Sequence, residues 1–208
     1  MSKKVLLSII VVLIFAVAVN IYTESVGEKD RIAEIKKVKK ENDNLKQKND
    51  KLKIEIQKLE KNQIINAAKH FKVMQYNVNY DENYEFQIGE IQGKIKKKLG
   101  DYATENGLRN VALHGVFSFI RQLSQETKSN LSVKDIKIYE KGIDTSAQEI
   151  NLDYDIKVVI NPVVPDGKER IISDFGQIRL VKTNEGWKVD ADSQQMDGLF
   201  EIMYQERE

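Results

Sequence analysis

The chain has 208 residues, with 33 Lys/Arg against 32 Asp/Glu, two His, two Pro, one Trp and no Cys. A net charge of +1 gives no general attraction to nucleic acid or anionic membrane, and the lack of Cys excludes disulfides, thiolate catalysis and Cys-type zinc sites. Two histidines, His70 and His114, leave little material for a His-based metal site.

These averages conceal three different materials in series. Residues 1–4, Met-Ser-Lys-Lys, are expected to form a short cytoplasmic tip. Val5 to Val19 then runs without a charge and with Ser8 as its one polar residue. Residues 5–22 are expected to be a transmembrane helix, since an apolar run of about 17–18 residues reaches the lower end of the span a bilayer needs. Lys3 and Lys4 precede the run and Glu24 and Glu28 follow it, so the N-terminus falls in the cytoplasm and the rest outside. The competing interpretation is a cleaved signal peptide, with Ala16-Val17-Ala18 as a small-x-small site. Either way the rest of the chain is exported.

Residues 28–62 are a charged helical segment with twelve Lys/Arg, eight Asp/Glu, no Pro and no Gly. Placing heptad position a at Ile35 gives an a series of Ile35, Asn42, Asn49 and Ile56 and a d series of Val38, Leu45, Leu52 and Leu59. Four consecutive heptads with apolar d positions predict a coiled coil. Asn at two a positions favours a parallel dimer, because each buried Asn pairs best with its own copy. Charges flanking the seam are mixed: Glu34 to Lys39 and Glu41 to Lys46 attract, whereas Lys48 to Lys53 and Glu55 to Glu60 repel. The alternatives are a single solvated helix acting as a spacer, or an extended spacer.

Residues 64–208 carry nearly all the aromatics and a net charge of −4, and are long enough to bury a core. Ile64, Ile65, Ala68, Phe71, Val73, Tyr76 and Tyr80 are expected to continue the helix. Ile88, Ile91, Ile95 and Leu99 predict a second helix, ending in Lys96-Lys97-Lys98 with Gly100 as a left-handed cap. Residues 105–126, with Leu113, Val116, Phe117, Ile120 and Leu123, have helical spacing, although alternation at Val111, Leu113, Phe117 and Phe119 also fits a strand.

The period then becomes two. Strands are expected at about Val133–Glu140, across Ile150–Ile160, at about Glu169–Lys182 and from Trp187. Turns at Pro165-Asp166-Gly167-Lys168 and Asn184-Glu185-Gly186 join them into an antiparallel meander. A tail from Ser193 through Leu199, Ile202 and Met203 fits a short helix. The expected class is α+β, with helices packed on one face of a curved four-stranded antiparallel sheet.

Recognisable chemistry is sparse. Asp153 and Asp155 share a strand face, but opposite the apolar stripe, where a solvated surface is expected. Lys94, Lys96, Lys97 and Lys98 are expected to form a solvated helix end, and Gly89-x-x-x-Gly93 a place of close approach. Tyr76, Tyr80 and Tyr84, four apart, fit packing. No phosphate loop, nucleophile elbow or metal-ligand cluster is present, so no catalytic residue, metal or cofactor is assigned.

The order of parts resembles a known family. A Lys-Lys tip, a single anchor and an exported domain of helices then four strands, closing on Gly186-Trp187-Lys188-Val189, is similar to the VirB-eight-like subunits of type IV secretion and conjugation machines, Gram-positive PrgL type. In these a nuclear-transport-factor-two-like (cystatin-like) cone wraps a sheet around helices. The Asn-Pro-x-Gly motif of Gram-negative relatives is not reproduced, since Asn161-Pro162-Val163-Val164 lacks the glycine. The resemblance implies a non-enzymatic scaffold of the cell membrane, with its C-terminal domain extracytoplasmic. Its partners would be itself, as a parallel dimer or higher homo-oligomer, and other channel subunits, without direct nucleic-acid contact. The alternatives are an envelope stalk in division or wall maintenance, and an exported ligand-binding or enzymatic module. The last requires polar groups converging inside the domain.

Overall fold

A computed structural model describes residues 28–83, 90–140 and 142–205. The anchor expected at residues 5–22 lies outside them, as do Tyr84, Ile88 and Gly89. Among the described residues, no helix is long and apolar enough to cross a membrane. The contacts divide the chain into two units after Ile56.

The first helix, α1 (Glu28–Tyr76), crosses that boundary. It contains no Pro or Gly, and long charged residues with high helix propensity fill its surface. The extended-spacer alternative is thereby set aside. In the first unit the seam residues Ile35, Leu45, Leu52 and Ile56 are exposed within the single chain.

In the second unit α1 buries Ile64, Ala68 and Phe71. It stops at Tyr76, so Tyr80 lies beyond it, contrary to expectation. Competition for the backbone explains the stop. Val78 N–H and C=O exchange bonds with Leu131 at 2.9 and 2.8 Å, and the Asn77 Oδ1 accepts Val133 N–H at 3.1 Å. A strand edge thus takes over the groups that another helical turn would use.

Three short helices follow: α2 (Ile91–Leu99), α3 (Glu105–Leu113) and α4 (Val116–Glu126). The expectation for Gly100 is corrected. Its φ of −59° is right-handed, and its N–H simply donates to Lys96 C=O at 2.9 Å. Thr104 caps α3 by accepting Gly107 N–H at 3.0 Å. Residues 105–126 are helical rather than strand, but in two pieces. Gly115 at φ +66° supplies the left-handed residue that redirects the chain. This break also puts Leu113 in solvent, against the core role its spacing suggested. On α4, Val116, Phe117, Ile120 and Leu123 form one buried stripe.

The sheet comprises β1 (Ser129–Ile138), β2 (Glu149–Pro162), β3 (Arg170–Thr183) and β4 (Gly186–Gln195), antiparallel and in sequence order. The expected meander is correct, with three strands longer than foreseen. β4 runs through Ser193, and the C-terminal helix α5 begins only at Asp197, spanning Asp197–Gln205. Ile150, Leu152, Tyr154, Ile156, Val158 and Ile160 all point into the core, while Asn151, Asp153, Asp155 and Lys157 face solvent. Burying each large apolar side chain is worth about 1.5–3 kcal/mol, so a one-residue register slip costs on the order of 10 kcal/mol. Bulges at Val133/Asp135 and Arg179/Leu180 increase the twist.

Helices α3, α4 and α5 make the main contacts with the sheet, on β4, β1 and β3 respectively, and both sheet edges are partly covered. On β4, Val189 N–H donates to Tyr102 C=O and Val189 C=O accepts Thr104 N–H, both at 2.9 Å. The Asn110 Oδ1 accepts Asp192 N–H at 3.1 Å. Covering an edge in this way removes a template for unwanted strand pairing. Close approach of α3 to β4 depends on Gly107, where a Cβ would stand 2.3 Å from Val189 O. At Gly93, by contrast, a Cβ would meet nothing within 4 Å among the described residues.

Candidate functional site

Two features of the chain are candidates for function: an exposed seam and a polar cluster inside the domain. The seam residues Ile35, Val38, Asn42, Leu45, Asn49, Leu52, Ile56 and Leu59 all lie on α1, three and four residues apart, and therefore form one stripe. Ile35 is 57% exposed, Leu52 54% and Leu59 56%. The next positions in the same heptad frame, Gln63 and Asn66, are polar and exposed. The apolar stripe therefore ends at Leu59, just before the residues that α1 buries in the domain.

The interior cluster was not legible as a site in the sequence. Lys72, one turn beyond Ala68 on α1, is fully buried. Its ammonium donates to Asp192 Oδ2 at 2.8 Å and to Gln194 Oε1 at 2.6 Å, both on β4. It also stands 4.5 Å from the centre of the Tyr154 ring on β2 and 5.2 Å from that of Tyr76. Asp192 is 4% exposed and accepts two further bonds, from Tyr154 OH at 3.0 Å and Gln75 Nε2 at 3.3 Å. Gln194 Nε2 donates to Tyr76 OH at 2.5 Å. Gly176 makes room for this arrangement, since a Cβ there would lie 2.6 Å from Tyr154 OH and 2.5 Å from Ser193 O.

Burial pulls the Lys72 ammonium below its ordinary range, and Asp192 partly restores it. Burial also raises the phenols of Tyr76 and Tyr154, a direction that the neighbouring Asp192 charge reinforces. Asp174 on β3 is likewise raised, chiefly by burial, although the Gly198 N–H at the start of α5 opposes the shift. Asp174 Oδ2 and Gln75 Oε1 are buried with no hydrogen-bond partner among the described residues.

Polar groups thus do converge inside the domain, as a ligand-binding or enzymatic module requires. Here they bond to one another, and the Lys72 side chain fills the centre. A hint was present in the sequence: Lys72 and Gln75 are the polar residues on a helix face that otherwise carries Ile64, Ala68, Phe71 and Tyr76.

The remaining sequence candidates are placed as follows. Asp153 and Asp155 face solvent, holding Gln177 Nε2 at 3.0 Å and the Tyr139 hydroxyl respectively. With Phe175 and Gln195 they line a shallow cleft on the open sheet face. His70 is exposed and meets Tyr102 edge-on at 6.2 Å, and His114 is the exposed C-cap of α3. The structure does not bring the two histidines together with other ligands: among the described residues there is no group of three His, Asp or Glu side chains able to hold a metal.

Lys98 is a correction to the solvated helix end. It donates to Asn77 C=O at 2.5 Å and stands 5.6 Å from the Phe117 ring centre. Burial, aided by the Arg121 charge, brings its ammonium down to about 8. Lys94, by contrast, pairs with Glu90 at 3.0 Å near the surface.

The fold and these features define a class: an α+β domain of helices on one face of a four-stranded antiparallel meander, entered by a helix that carries an exposed heptad seam. No protein-family profile matches the chain. No curated protein matches it either. Among solved structures the chain is similar to a periplasmic fragment of TraM, at 10% identity and a TM-score of 0.44, over 64% of this chain and 96% of that one.

Proposed function

We propose that this chain is a membrane-anchored, non-enzymatic assembly subunit of a conjugative type IV secretion channel. In this reading residues 5–22 anchor it with the N-terminus in the cytoplasm. The α+β domain stands outside as a nuclear-transport-factor-two-like unit. It acts by self-association and by contacts with other channel subunits. The observation that carries the proposal is the heptad stripe: exposed Leu45, Leu52 and Leu59 and half-buried Val38 at d, with Asn42 and Asn49 at a. Exposed Leu45, Leu52 and Leu59 gain by burial against another helix, and paired Asn side chains select a parallel second copy over other partners. The filled domain interior supports a role exercised through surfaces.

Cys introduced at Asn49 in the full-length chain should give an interchain disulfide under oxidation, and Leu45→Asp with Leu52→Asp should abolish it. Monomer alone, with the domain folded, overturns the seam. Crosslinking in native membranes followed by affinity purification should recover secretion-channel subunits. Recovery of division or wall proteins instead would establish an envelope stalk.

A further inference from the structure

A scaffold needs no ammonium ion at the centre of its domain, yet Lys72 Nζ is held there on every side. Its surroundings are two aromatic faces, a carboxylate and an amide oxygen, the chemistry that recognises an ammonium group. The walls are held in place by bonds that do not involve Lys72. Tyr154 OH and Gln75 Nε2 both donate to Asp192, and Gln194 Nε2 donates to Tyr76 OH. They come from β2, β4 and α1, and Gly176 leaves the space that Tyr154 occupies. Removing the occupant should therefore leave the cage largely standing.

We propose that the domain interior is a preformed binding site for a primary alkylammonium ion, occupied in cis by the Lys72 side chain. Acceptors at 2.6 and 2.8 Å need N–H donors, so the site takes a primary ammonium and rejects a quaternary one. The self-ligand ties α1 to β4 and closes the interior to soluble amines while it remains in place. This inference stands on the domain interior and is independent of the channel assignment.

Lys72→Ala removes Cγ through Nζ, the three carbons and one nitrogen of n-propylammonium, and keeps a good helix former in α1. In the full-length chain in detergent, this variant should melt below wild type. n-Propylammonium chloride should raise its Tm by about 3 °C or more once well above its Kd. Tetramethylammonium chloride and sodium chloride at equal ionic strength should not, and wild type should respond to none selectively. Equal Tm in the three salts overturns the proposal. Should the variant fold in no salt, the wild-type protein decides. Lysine-selective ¹⁵N NMR should show one ammonium group with slow hydrogen exchange, lost in Asp192→Asn. Finding no such group also overturns the proposal.

Discussion

Removing the Asp192 carboxylate should be among the most damaging single changes in this domain. Asp192→Ala leaves Lys72, fully buried, with Gln194 Oε1 as its remaining acceptor, and orphans the donors of Tyr154 and Gln75. Breaking a buried ion pair in this way costs about 3–5 kcal/mol, a large part of the roughly 5–15 kcal/mol that holds a domain together. Lys72→Met should cost less, about 2–3 kcal/mol, because Tyr154 and Gln75 still donate to the stranded carboxylate. The double variant Lys72→Met/Asp192→Leu removes both charges. It should recover most of the loss, since an apolar replacement avoids the desolvation of the pair. The single buried Trp187 reports unfolding by fluorescence, so urea midpoints and slopes give all four corners of the cycle. An Asp192→Ala cost under about 1 kcal/mol, or a coupling near zero, would refute the reasoning.

Other parts of the domain give equally direct tests. Trp187 is nearly buried at the start of β4, so Trp187→Ala should cost about 3–5 kcal/mol by far-ultraviolet circular dichroism; a loss below about 1 kcal/mol contradicts that packing. Gly176→Ala places a Cβ against Tyr154 OH and Ser193 O and should cost about 1–3 kcal/mol, which a denaturation curve unchanged from wild type would rule out. Asp174 has a folded pKa above its unfolded value, so its contribution is complete below the ordinary Asp range and is lost as pH rises through the folded value. Asp174→Asn should therefore gain on wild type as pH increases from about 4, where unfolded Asp titrates. A difference constant from pH 4 to 8 would exclude this linkage.

Periodicity by itself determined much of the architecture. Six alternating apolar residues in β2, and turn residues such as Asn184-Glu185-Gly186, act over a few neighbours, so strands and meander order could be read directly. The heptad pattern from Ile35 to Leu59 likewise falls on a single helix, α1, as its spacing required. Local signals failed where a distant group competed for the backbone. α1 stops at Tyr76 because Val78 pairs with Leu131. At Gly100 the miss is local: its N–H continues the helical pattern to Lys96, where a left-handed cap was expected. The interior cluster shows the same limit more sharply. Lys72 is one of many lysines in the sequence, and its burial is decided by Asp192 and Gln194, 120 and 122 residues away. An ammonium can remain in an apolar interior when a carboxylate, an amide oxygen and two ring faces meet it together. Bringing those groups together from three elements is the work of the tertiary fold.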